Sequence, residues 1–468
     1  MQASRGEPRF SLSKALGYEA DVMTMQTSFA TADSFSRRSM LRAGAYAGLG
    51  LAAASASPLL HAAYAQGSDP RAQWPAIAAL IDRYVSGRQV ANMVAALGWG
   101  EAQPEVIARG TLSFESSAPA GIDTLYRIYS MTKPVTGMAA MMLIDEGRLG
   151  LDQPLAEILP AYAEMQVQKR YDGPITPDNL EPAVRPITIR HLLTHTSGLG
   201  YSIIQSGPIA EAYRRNGLDP GSVSRLAIVP IFNGPKAPSL AAFADRLATL
   251  PLVRQPGTRW GYSMSLDLLG RVIEVVSGEA FDAFLQTRIF DPCGMTSTWF
   301  QVPPGEAQRL ATNYFSLAGV PLPIDMGVNS IFLDKPAFPF GGAGLVSSAR
   351  DYDRFLQMLA GYGMIDGRRV MSEDAVRLGT SDLMPDTVAA NAGFREGFGF
   401  GAAGLVGKGE AEGLYGWFGA AGTAGLVNMR HGLRQTLMTQ IVGAAVEQIQ
   451  EQFPRAVAED AAAMRPSA

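Results

Sequence analysis

Ser130-Met131-Thr132-Lys133 sets a hydroxyl and a primary amine three residues apart, just before Pro134 and the largely apolar run from Val135 to Ile144. Proline is accepted in the first turn of a helix, where the N–H it lacks has no partner anyway, so a helix is predicted to open at this motif. Residues three apart share a helix face, which brings the Lys133 amine to the Ser130 hydroxyl. A free serine is a weak nucleophile until a neighbouring base takes its proton. A lysine serves as that base where burial or a nearby cation favours its uncharged form, and a helix this apolar supplies a buried setting. The helix N-terminus adds partial positive charge where an oxyanion would develop. The bland alternative is a surface Ser-Lys pair that does no chemistry.

Two further stretches carry groups that such a pair needs. Pro256-Gly257-Thr258-Arg259-Trp260-Gly261-Tyr262-Ser263-Met264 opens another expected helix. Its Tyr262 is the candidate second proton carrier, a phenol bridging the Lys133 amine and the leaving-group oxygen; otherwise it is a core tyrosine with a satisfied hydroxyl. Gly416-Trp417-Phe418-Gly419-Ala420-Ala421-Gly422-Thr423 reads as a strand crowded with small residues. Glycine in a strand lets a ligand approach the backbone closely, so the N–H groups of Ala420 and Ser130 are candidates for an oxyanion hole. Trp417, Phe418, Gly419 and Met264 are then candidate pocket residues. Taken alone, the stretch is equally a Gly-rich hairpin.

Other residues invite chemistry and are set aside. His195 in Thr194-His195-Thr196-Ser197-Gly198 suggests a Ser-His triad, or a metal site with His191; a helix end and turn is the preferred reading, and no protein-bound metal or cofactor is expected. Cys293 is the single cysteine, so no intramolecular disulfide forms, and nothing beside it would activate a thiolate. Gly399-Phe400-Gly401-Ala402-Ala403-Gly404 matches a dinucleotide fingerprint as text, but lacks the following helix and acidic residue that would support it. There is no G-x-S-x-G stretch, which speaks against an α/β-hydrolase elbow.

The elements that must position these groups follow from periodicity. Ile77, Leu80, Ile81 and Tyr84 outline a first amphipathic helix, and Val90 to Phe114, broken by glycines and Pro104, suits a β-hairpin. Helices are expected at Ile189–Leu193, Leu240–Thr249, Leu266–Ser277, Ala280–Ile289 and Ala349–Leu359, with short strands from Phe394 to Val442. A polar helical stretch from Ala445 to Met464 is expected to break at Pro454. Strands near both ends with helices between them predict an α+β fold: one antiparallel sheet built from both ends of the chain, plus an inserted, mostly helical subdomain. The expected division is residues 66–150 with 321–468 for the sheet subdomain, and 151–320 for the helical one.

Composition places few limits beyond a globular chain. Among 468 residues, 47% are hydrophobic and 18% charged, with a net charge of -4. This mild acidity gives no sign of nucleic-acid binding. Ser36-Arg37-Arg38-Ser39-Met40-Leu41-Arg42, a small-residue apolar stretch and Ala63-Tyr64-Ala65 suggest a twin-arginine export signal over residues 1–65. The expected product is a periplasmic or secreted protein without a stable membrane span.

The three motifs, in this order, resemble the serine β-lactamase and penicillin-binding superfamily, whose marks are S-x-x-K, a Tyr- or Ser-centred second motif and K-T-G. Leu125 to Lys133, Asp145 to Leu149, His191 to Leu199, Pro256 to Tyr262 with Leu269 to Gly278, and Gly341 to Arg354 are similar to the class C branch. That resemblance implies a sheet flanked by helices, a mostly helical subdomain, and a site in the cleft between them. The departures from pattern point to substrate. Met264 stands where class C lactamases carry Asn, and Trp417 replaces the K-T-G lysine that helps hold a substrate carboxylate. The resulting Tyr-Ser-x and W-x-G forms are similar to family VIII carboxylesterases, with Phe418 bulkier than the glycine often found there. The expectation is an esterase acting on a small-molecule ester. The alternatives are an amide-cleaving β-lactamase or D-amino-acid peptidase, and a non-catalytic binding protein on the same fold. The oligomeric state stays open.

Overall fold

The computed structural model describes residues 69–226, 234–388 and 397–464. The expected export signal lies outside them. Helix α1 (Pro75–Ser86) leads into strands β1 (Asn92–Trp99) and β2 (Glu105–Gly110). Five more strands follow late in the chain: β3 (Phe398–Phe400), β4 (Leu405–Gly407), β5 (Leu414–Phe418), β6 (Ala424–Asn428) and β7 (Leu433–Met438). They form one antiparallel sheet in the order β3-β4-β5-β6-β7-β1-β2. The two ends of the chain meet where Val94 pairs with Met438 and Trp99 with Leu433.

Strand β1 is apolar along nearly its whole length because both faces of the sheet are covered. Successive side chains point to opposite faces. Met93, Ala95 and Leu97 join a cluster with Ile77, Leu80 and Ile81 of α1, whereas Val94 and Ala96 join the large core on the other side. The long C-terminal helix Ala445–Ala463 packs with α1 and contains Pro454 without ending there. Phe453 and Val457 are buried on either side of the proline, and Asp460 accepts the Ala76 and Ile77 N–H groups of the α1 first turn. Those contacts outweigh the single backbone bond that proline forfeits.

Between these strands run α2 (Thr132–Asp145), α3 (Ile189–Leu193), α4 (Leu240–Ala248) and α5 (Ser265–Ser277), followed by α6 (Ala349–Ala360). Helix α2 is buried from Thr132 to Leu143, as its near-uniform apolar character requires. The helix expected at Ala280–Ile289 is regular only over Phe281–Leu285, then widens to a π-turn over Gln286–Phe290. A hairpin of Asn313–Leu317 and Val320–Asp325 went unrecognised in the sequence; Pro321 and Pro323 mask its period-2 pattern. Its first strand pairs in parallel with Ile441–Gly443.

A buried ion pair ties α6 to the sheet. Arg434 Nε donates to Asp353 Oδ1 at 2.9 Å and Nη2 donates to Oδ2 at 3.0 Å, with neither side chain open to solvent. Removing one partner strands the other charge, which costs about 3–5 kcal/mol. Asp353→Ala should therefore lower the unfolding free energy by about that amount in urea titration; a loss below about 1 kcal/mol would show that Arg434 finds another partner.

Candidate active site

Ser130 sits in a single 3-10 turn, Tyr129–Met131, directly ahead of α2. Tyr129 has a φ of 42°, a left-handed conformation that costs a non-glycine residue roughly 1–3 kcal/mol. Its hydroxyl accepts from Asn313 Nδ2 at 3.0 Å, and Tyr352 OH donates to Met131 O at 2.9 Å, so the turn is gripped on both sides of the serine. The short strand Leu125–Arg127 pairs with Val346–Ser348, and Ile128 N–H donates to Leu345 O at 3.1 Å. This pairing brings the Gly341–Gly344 segment alongside α2.

Lys133 is fully buried in the first turn of the helix. Its Nζ donates to Ser130 Oγ at 3.2 Å and to Gly342 O at 2.6 Å. Tyr262, in the segment just before α5, donates its hydroxyl to Ser130 Oγ at 2.7 Å. The structure thus joins the three residues expected from the sequence, with one difference. The phenol meets the serine directly, and Lys133 Nζ lies 4.5 Å from the Tyr262 ring centre, over its face. The Tyr201 ring centre lies 5.8 Å from the same amine and 5.7 Å from that of Tyr262. Burial and the nearby Asp267, Tyr262 and Asp219 push the Tyr201 hydroxyl far above the usual phenol range.

Trp417 stacks on Tyr262 with ring centres 6.1 Å apart, and its Nε1 donates to the Tyr262 hydroxyl at 3.4 Å. Where the resemblance leads one to expect an ammonium, an indole N–H therefore touches the phenol. Phe418, next along β5, projects to the opposite face of the sheet and packs against the α1 cluster. Its bulk does not line the Tyr262 side. Met264 is 1% exposed and packs in the main core; it opens the turn into α5, and its thioether offers no surface to a substrate. Gly419 belongs to the turn after β5 and is pressed against Ile128, where a side chain would collide with the Ile128 carbonyl. That close approach sets the Gly419–Ala420 turn beside the Ser130 turn.

His195 takes no part in the Ser130 cluster. Its Nδ1 pairs with Ser263 Oγ at 2.9 Å, Ser263 continues to Ser265 at 2.7 Å, and Ser265 to Ser197 at 2.8 Å. Burial and the Lys133 charge hold the imidazole far below its ordinary pKa, so it stays neutral and backs the Tyr262 ring at 4.9 Å. His191 closes a capping box on α3, its Nδ1 accepting from Thr188 N–H at 3.1 Å. Among the described residues, no group of three or more His, Cys, Asp or Glu could hold a metal ion, and no helix is long and apolar enough to cross a membrane. Cys293 is buried, which pushes its thiol up to about 12.

The beta-lactamase family model matches residues 77–458. The chain belongs to the beta-lactamase family. Within 277 residues it is 40% identical to protein Rv1367c of Mycobacterium tuberculosis, covering 59% of this chain and 64% of that one. Esterase EstB of Burkholderia gladioli is 32% identical over 267 residues, 54% of this chain and 61% of EstB. The matches thus span less than two thirds of these relatives. The solved structure of EstCE1, described as a hydrolase with promiscuous acyltransferase activity, superposes with a TM-score of 0.67 at 24% identity, covering 83% of this chain and 98% of that one. At that identity the likeness speaks for the fold alone: the antiparallel sheet with flanking helices of a β-lactamase-like protein.

The sequence reading missed Tyr201, Asp267 and Gly342. Tyr201 lies in a stretch without a motif. Gly342 acts through its carbonyl, which no residue type announces.

Proposed function

We propose that this beta-lactamase-family protein is a serine hydrolase that cleaves carboxylic esters through an acyl-serine. The observation that carries the reading is the convergence on Ser130 Oγ of the Tyr262 hydroxyl at 2.7 Å and the Lys133 amine at 3.2 Å. In this reading the Lys133 amine takes the Ser130 proton as Oγ attacks the ester carbonyl carbon, while Tyr262 keeps its phenol proton. The Ser130 and Ala420 N–H groups hold the tetrahedral oxyanion. The C–O bond to the alcohol breaks, and Tyr262 passes a proton to the departing oxygen. Water then attacks the acyl carbonyl carbon, with Tyr262 or Lys133 taking its proton; the bond to Ser130 Oγ breaks, Oγ receives that proton back, and the carboxylic acid leaves.

Support for esters over lactams comes from Trp417. An indole N–H gives the Tyr262 phenol a donor but supplies no positive charge for a substrate carboxylate, unlike an ammonium. The name of one relative, an esterase, points the same way. The reading includes export through the twin-arginine segment, tested by the N-terminus of the mature protein.

Parallel turnover of p-nitrophenyl butyrate, nitrocefin and a D-Ala-D-Ala peptide, with mass mapping of the acyl-enzyme, tests the proposal. The expected result is strong ester turnover, weak or absent lactam and peptide turnover, and an acyl mass on the Ser130 peptide. Faster nitrocefin than ester hydrolysis would favour the lactamase alternative. An enzyme that fluorophosphonate does not label would favour a binding protein.

A further inference from the structure

We propose that Asp267 is a positioning residue for the Ser130–Lys133 pair and acts through the Gly342 peptide; this rests on Lys133 accepting a proton as described above. Asp267 lies in the first turn of α5 and is 1% exposed. Its Oδ1 accepts the Gly342 N–H at 2.9 Å, and the Gly342 carbonyl accepts from Lys133 Nζ at 2.6 Å. One residue is thus held at its N–H by a carboxylate and presents its C=O to the amine. Close approach is essential: a Cβ at Gly342 would lie 2.9 Å from Asp267 Oδ2 and 3.2 Å from Oδ1.

Two physical effects follow. An amine with one N–H committed to a fixed carbonyl cannot rotate freely, so its remaining directions, including the one toward Ser130, are set before substrate arrives. The second effect is charge. Burial lifts the Asp267 carboxyl to about 6, opposed by Lys133 and by the Gly342 bond. Above that pH its negative charge favours the ammonium that forms when Lys133 takes the serine proton. The other titratable groups around the pair are Tyr201, Tyr262 and His195, with Asp219 acting on Tyr201. The imidazole is neutral, so Asp267 supplies the buried negative charge that acts on the amine.

The Gly341–Leu345 segment has anchors independent of Asp267. Thr136 Oγ1 donates to Gly341 O at 2.7 Å, and Leu345 N–H donates to Thr132 Oγ1 at 3.2 Å. The segment should therefore stay in place when the carboxylate is neutralised, which separates positioning from folding.

The test compares wild type with Asp267→Asn, Gly342→Ala and Lys133→Ala on p-nitrophenyl butyrate. For Asp267→Asn, kcat should fall roughly tenfold to a hundredfold with KM within about twofold. The acid limb of its kcat/KM profile should move to lower pH, because the ammonium loses a partner. A merely structural role would not move that limb. Gly342→Ala should lose a similar factor in kcat. Wild-type kcat, or an unmoved acid limb, in Asp267→Asn alongside an inactive Lys133→Ala would overturn this inference alone. An active Lys133→Ala enzyme would overturn the proposed role of the lysine as well.

Discussion

Ser130→Ala should lower kcat for p-nitrophenyl butyrate by about 10⁴-fold or more and abolish the acyl mass shift, while leaving the melting curve close to wild type. Removing the nucleophile of a covalent mechanism removes the bond-forming atom, so the groups arranged around it have nothing to activate. The fold should tolerate the change. Ser130 lies in a turn held by the Tyr129 hydroxyl bond to Asn313 and by Tyr352 on Met131 O, none of which involves the serine side chain. Lys133 keeps its bond to Gly342 O. A variant with wild-type turnover would mean that another nucleophile carries the reaction.

Tyr262→Phe should reduce kcat by about 10²–10⁴ with little change in KM, the range expected for losing a general acid–base. This substitution is sharper than one to alanine. The ring packs against His195, Tyr201, Trp260 and Trp417 and underlies Lys133 Nζ, and phenylalanine keeps all those faces. Only the hydroxyl is deleted, together with its bond to Ser130 Oγ and the one it accepts from Trp417. A loss confined to KM would recast Tyr262 as a binding group. Turnover within about threefold of wild type would mean that Lys133 handles both proton transfers unaided.

The parts legible in the sequence were those written in periodicity and residue type. The α2 run after Ser130 was too apolar to be anything but buried, and it is. The hairpin and the late strands come from different ends of the chain and meet in one sheet, as alternating apolar segments at both ends suggested. Pro454 misled because local propensity forbids what the contacts of Asp460 and Phe453 enforce. Phe418 and Met264 misled because adjacency to a motif says nothing about which face a side chain takes.

The spacing of Ser130 and Lys133 on one helical turn is a local matter, and the sequence alone determined it. Which way the Tyr262 hydroxyl points, that Tyr201 closes over the amine, and that Asp267 reaches Lys133 through a peptide 75 residues further on were decided only by tertiary structure. The physical reason is that such contacts depend on backbone groups and side-chain directions set by packing between segments distant in the chain, and no local pattern encodes them.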